Sequence, residues 1–294
     1  MNQGLQSLQS LQNLQNAEVA MFYTMLAAYI VGMLFYWGSA LTKSTLLGRI
    51  GTGLAIFGLT ANTAAILIRM AMTGRPPLAN GYEFLLTFCW GIVAVYLFAE
   101  FRFKVRALGT FVIPLPVLLQ MFIIMSMGPE ERVAQAIPPA LKSQWLTIHV
   151  ITAIFAYGAF AISFGLGLMY LLKLGKEQRQ SAQGPWGFID RFPTLERLDE
   201  LAYKVIGFAF PLLSLCIITG AIWANYAWGT YWSWDPKETW SLITWIIYAG
   251  YLHARLMYGW KGKRAAWLAV IGFAAVLFTF FGVNYFLPGL HSYV

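Results

Sequence analysis

The chain has 294 residues, of which 59% are hydrophobic and only 11% charged, with a mean hydropathy of +0.62 and a net charge of +8. Soluble domains carry about a quarter charged residues, so these figures exclude a single soluble core and specify an all-α polytopic membrane protein. The basic excess does not imply nucleic acid, because Lys and Arg sit in short clusters between apolar runs, a pattern set by membrane topology.

Residues 1–18 repeat Leu-Gln-Ser/Asn, with Leu5, Leu8, Leu11 and Leu14. They lack the basic start of a cleavable signal. Leucine at every third position gives a weak amphipathic stripe, expected as a frayed or surface-lying helix. Beyond them, a hydrocarbon core about 30 Å thick needs roughly 20 apolar residues per helix. Eight segments meet this: 19–41, 50–71, 83–101, 108–127, 145–172, 203–224, 240–258 and 265–287. Pro114 and Pro116 in the fourth and Pro211 in the sixth are tolerated because neighbouring groups satisfy the freed carbonyls. Residues 19–144 therefore make a first set of four helices with outer loops. Residues 145–294 make a second set, which carries the loop 223–240.

Orientation follows from the basic residues. The connections after the first, third, fifth and seventh segments hold 15 of the 20 Lys and Arg. By the positive-inside rule these connections are cytoplasmic and both termini lie outside. The loop 223–240 then faces the periplasm or its equivalent. The longest inner connection, 176–200, contains Pro185 and Pro193 and reads as a surface loop without chemistry. Cys89 and Cys216 each lie inside an apolar segment with no CxxC or metal-ligand spacing, which predicts buried, inert thiols.

The densest chemistry is in Trp228-Gly-Thr-Tyr-Trp232-Ser-Trp234-Asp235-Pro-Lys-Glu-Thr-Trp240. Interfacial Trp and Tyr form sparse belts. A continuous run of rings suits a platform for a large flat ligand, with a rich aromatic belt as the simpler alternative. Asp235, before proline, reads as a turn initiator. Asp235 and Glu238 are expected to shape the loop or pair with Lys237 rather than act as bases.

There are three histidines. His149 starts the fifth span and His291 follows the eighth, so both lie outside, level with the aromatic loop. Taken singly, each reads as a hydrogen-bonded interfacial residue. Two imidazoles flanking an aromatic platform favour a pair of axial ligands to haem iron. His253 lies about 20 Å along a helix from Trp240, in the inner half of the bilayer. An ionisable residue at that depth calls for a function and a partner. No other histidine of the chain shares its level, so a second ligand there has to come from another subunit. Arg255 is expected to snorkel to the inner surface.

With these residues the chain resembles a known family. The run from Trp228 to Trp240 is similar to the WWD signature of haem-handling proteins. His149 in Trp-Leu-Thr-Ile-His-Val, His253 in Tyr-Leu-His-Ala-Arg and the ending Gly-Leu-His-Ser-Tyr resemble the CcsA/ResC component of System II cytochrome c biogenesis. Asn80-Gly-Tyr-Glu83 adds to the likeness, which covers most of the chain from about residue 75 onward.

The resemblance implies a membrane subunit of a cytochrome c synthase, a haem lyase component active with a ResB/CcsB-like partner. It would take haem b with reduced iron and present it for thioether attachment to the CxxCH motif of apocytochrome c. Carried over, His149 and His291 are the outer iron ligands, and His253 is one ligand of a transmembrane haem site completed by the partner. Trp228, Trp232, Trp234, Asp235 and Trp240 belong to the outer cradle. The setting implied is a bacterial inner membrane in preference to a thylakoid one. A CcmC-like delivery or export protein, with a WWD loop but no ligation, is the alternative; eight spans and His253 favour the synthase. A transporter of another substrate class would show inverted repeats and helices broken at the midplane, and no internal repeat is visible.

Overall fold

The computed structural model describes residues 2–133, 137, 139–178 and 187–287. Among them all regular structure is helical: α1 (Asn2–Thr42), α2 (Thr45–Thr73), α3 (Gly81–Phe103), α4 (Gly109–Val112), α5 (Pro114–Ser126), α6 (Pro129–Arg132), α7 (Gln144–Gln178), α8 (Leu195–Trp228), α9 (Pro236–Tyr258), α10 (Lys263–Leu277) and α11 (Val283–Phe286). A π-helical turn, Phe278–Gly282, joins the last two.

Seven described segments are long and apolar enough to cross a membrane: Leu8–Thr42, Thr45–Thr73, Gly81–Phe103, Arg106–Ser126, Gln144–Gln178, Leu195–Trp228 and Lys263–Gly282. These match seven of the eight expected spans. The remaining one, 240–258, is helical as α9 but falls outside that set, His253 and Arg255 being among the residues that dilute its hydropathy. It nevertheless runs antiparallel along α8. Arg255 bonds Asp199 at 2.6 Å, and the Trp245 indole donates to Ser214 Oγ at 2.8 Å. On its other side Thr244 meets Thr279 of the π turn at 3.3 Å, and Tyr248 packs on Gly272 of α10. Arg255, Trp245 and Thr244 of α9 thus all meet protein partners.

The Leu-Gln repeat is helical and its described side chains are mostly exposed, and α1 runs unbroken from Asn2 into the first span; Leu, Gln, Ala and Glu are good helix formers and nothing in this stretch terminates the helix. Its Glu18 is buried and bonds Arg69 of α2 at 2.9 Å and the Tyr82 hydroxyl of α3 at 3.1 Å. Arg255 does not snorkel. Besides bonding Asp199, its guanidinium lies 4.8 Å from the Tyr203 ring centroid, and its side chain is 10% exposed.

The fourth span is split at Ile113, where Pro114 starts α5 at a position whose N–H would be unsatisfied anyway. Helices α3 and α7 meet at Gly91 and Gly158, where a Cβ on Gly91 would fall 2.3 Å from Ile154. Small residues at such crossings let backbones approach closely. Where the basic residues gather, Glu100 is buried but accepts from Thr52 at 2.7 Å, Tyr36 at 3.0 Å, Arg106 at 3.0 Å and Tyr96. Both cysteines are free and buried.

Candidate functional site

Opposite the basic end, α8 continues to Trp228 and stops at Gly229, whose φ of 77° is the left-handed conformation glycine adopts without strain. The chain re-enters a helix at Asp235, which caps α9 by accepting from the Lys237 amide at 2.9 Å. Glu238 reaches back to complete a capping box with Asp235 and also accepts from the Ser233 amide at 2.8 Å. Asp235 and Glu238 therefore build the loop, as expected. Lys237 lies in the wall of the cavity.

Under this loop is a cavity of about 360 Å³, within the range of cofactor and ligand sites. Its lining is mostly apolar and aromatic, including Leu146, Val150, Trp223, Trp232, Tyr231 and Phe280. The segment before α3 forms one rim. It is fixed by Asn80, which caps α3 at 2.8 Å, and by fully buried Glu83, gripped by both guanidinium nitrogens of Arg75 at 2.8 and 3.0 Å. The resemblance at Asn80-Gly-Tyr-Glu83 thus falls on a structural clamp.

His149, in the second turn of α7, lines this cavity. Its Nδ1 lies 2.7 Å from the Cys216 carbonyl of α8. A carbonyl only accepts, so Nδ1 carries the proton, and any metal would be ligated through Nε2. The ring also lies nearly parallel to Trp223, at 19° and 6.4 Å between centroids. The close approach depends on Gly220, because a Cβ there would stand 2.7 Å from Nδ1 and 2.8 Å from Cε1.

Lys237 contributes the only Lys or Arg side chain among the described lining residues. Its Nζ stands 6.0 Å from the centroid of Phe280. Desolvation in the wall pushes its ammonium down to about 8, with nearby Asp235 acting in the opposite direction.

The family model described as "Cytochrome C assembly protein" matches residues 78–291. The chain is also 36% identical to the cytochrome c biogenesis protein CcsA of Gloeobacter violaceus, covering 94% of this chain and 96% of that protein. It is 38% identical to CcsA of Guillardia theta, over 90% and 92% respectively. The chain belongs to the CcsA family of cytochrome c assembly proteins. The fold is shared with a solved structure, the cytochrome c haem lyase CcmF, at a TM-score of 0.69 and 16% identity, covering 91% of this chain and 46% of that one.

In this CcsA-family chain the aromatic residues divide. Trp232 lines the cavity with His149. Trp228 backs the wall, 4.9 Å from Trp223. Trp234 is 68% exposed and stands edge-on to Trp232 at 5.7 Å. Trp240 packs on Phe278 of the π turn at 4.1 Å and is absent from the lining. His253 is on the outward surface of α9, exposed, edge-on to Tyr258 at 5.6 Å. His291 lies outside the described residues. Sequence reasoning missed Trp223, Gly220, Lys237 and the Cys216 carbonyl. Gly220 and Trp223 carry a signal only in hindsight: they lie on the face of α8 toward α7, one helical turn and two beyond Cys216 respectively.

Proposed function

We propose that this CcsA-family protein is the membrane subunit of a cytochrome c synthase. In this reading it binds haem b as substrate in the cavity beneath the Trp228–Trp240 loop, on the outer side of the membrane. The observation that carries the reading is the setting of His149. Its Nδ1 proton is committed to the Cys216 carbonyl, and the imidazole is fixed between Gly220 and Trp223 in an aromatic cavity. A carbonyl that accepts from the far ring nitrogen is what orients an imidazole for axial ligation through the near one. His291 is the proposed opposite ligand, following the family resemblance.

The residues then have separate tasks. Trp232 and the Trp223–Trp228 pair supply flat apolar surface for the porphyrin. The Asp235–Glu238 cap holds the loop over it. A CxxCH segment of apocytochrome c docks at the mouth, and its histidine displaces one protein ligand. Each cysteine thiol adds across one vinyl group: a C–S and a C–H bond form, an S–H bond and a C=C π bond are lost, and there is no net redox change. Holding two thiols beside two vinyls makes the addition effectively intramolecular.

Exposed His253 is proposed as one ligand of a second haem site closed by a ResB/CcsB-like subunit, and the distribution of basic residues supports an outer position for the cavity end. The test is co-expression with that partner and a CxxCH reporter. His149→Ala should abolish covalent cytochrome, and added imidazole should partly restore it. Full maturation without His149 would remove the ligand assignment. Haem bound without covalent product in the wild type would point to delivery instead.

A further inference from the structure

We infer that Lys237 is the anchor for a propionate carboxylate of the porphyrin, and so sets which edge of the ring enters the cavity. The inference rests on the outer haem site proposed above and adds an element that neither the aromatic rings nor the histidines supply. A porphyrin with free propionates brings two carboxylates toward a mostly apolar, aromatic wall. Such a charge is costly to desolvate unless a cation meets it. Among the described lining residues, Lys237 is the only Lys or Arg side chain.

Its placement is specific. Proline at 236 and the capping box fix the first turn of α9, so the stem of Lys237 leaves the helix at a defined angle. The ammonium stands over the Phe280 ring, and Phe280 is itself packed on Phe84 at 4.2 Å and stacked on Phe88 at 5.4 Å. Asp235 and Glu238 accept from backbone amides at 2.9 and 2.8 Å as parts of the cap, and nearby Asp235 also favours the charged ammonium. The desolvation that lowers the Lys237 ammonium is relieved when an anion binds beside it. A ring held at one edge by Lys237 is held with its vinyl edge away from that contact, which is the orientation thioether formation needs.

The experiment compares haem with haem dimethyl ester, in which both propionates are blocked, on the purified complex with its partner. Both are titrated by Soret absorption against wild type, Lys237→Met and Lys237→Arg. The wild type should prefer the free acid on the order of tenfold or more, the scale of one partly desolvated charge pair. Lys237→Met should lose that preference by weakening the free acid alone, with ester affinity unchanged, which also reports an intact fold. Lys237→Arg should keep most of it. A Lys237→Met protein that retains the wild-type preference overturns the inference, as does a wild type that binds acid and ester equally. In both cases the haem site itself still stands. If the wild type binds neither ring, the proposed haem site fails and the anchor falls with it.

Discussion

Gly220 and His149 touch: a methyl group at position 220 would stand 2.7 Å from the imidazole Nδ1, the atom that bonds the Cys216 carbonyl. The missing side chain on α8 is therefore what allows the histidine on α7 to be held in one orientation.

Gly220→Ala should displace the ring and break the Cys216 hydrogen bond without removing any polar group. Overpacking of this kind costs about 1–3 kcal/mol, and misplacement of a ligand by about 1 Å can cost about a hundredfold in rate. We expect the yield of covalent cytochrome to fall by on the order of ten- to a hundredfold, with a shifted Soret band. A yield equal to wild type would show that the ring needs no such nest.

The loop should depend on Glu238 as a cap rather than as a charge. Its carboxylate accepts from the Ser233 and Asp235 amides, so Glu238→Ala leaves two donors unmet and costs about 1–2 kcal/mol. Proteolysis between Gly229 and Asp235 should accelerate, and covalent cytochrome should decrease. Glu238→Gln, which can still accept, should be milder on both measures; equal losses would assign the role to charge.

His253→Ala should leave the fold unchanged, because the residue is exposed on α9, where substitutions move stability by about 0.5 kcal/mol or less. In the complex with a ResB/CcsB-like partner it should reduce haem per complex. A pyridine-haem assay giving the wild-type stoichiometry would take His253 out of the proposed second site.

Arg69→Met should destabilise the protein strongly, by about 3–5 kcal/mol, because buried Glu18 would be left without its cation. The paired replacement Glu18→Leu with Arg69→Met should recover much of that loss. Thermal unfolding in detergent checks this. A double variant less stable than Arg69→Met alone would mean that the Tyr82 hydrogen bond to Glu18, at 3.1 Å, carries the junction.

Much of the architecture was legible from apolar run lengths, because a bilayer imposes nearly the same length on every crossing. Seven expected spans recur as long apolar helices. The segment 240–258 was legible as a helix; what its sequence does not show is that Arg255 and Trp245 meet Asp199 and Ser214, partners remote in sequence. The Gln-rich stretch was legible as a helix, but the burial of Glu18 was not, because its partner Arg69 lies on another helix. At the site, His149 and Trp232 could be named in advance since residue type and depth already point to a cavity end. Lys237 and Gly220 could not. Their roles arise where α8, α9 and the π turn close on one another, and no local pattern encodes that meeting.

The π turn at Phe278–Gly282 has a mechanical consequence. One surplus residue there lets adjacent rings look in different directions: Phe280 into the cavity under the loop, and Phe281 toward an apolar groove walled by Phe122 and Leu118. Deleting a single residue from that turn would restore regular winding and remove the local offset that sets Phe280 against the cavity. Regular α-helical winding resumes in α11, so the irregularity is confined to the turn that meets the cavity wall.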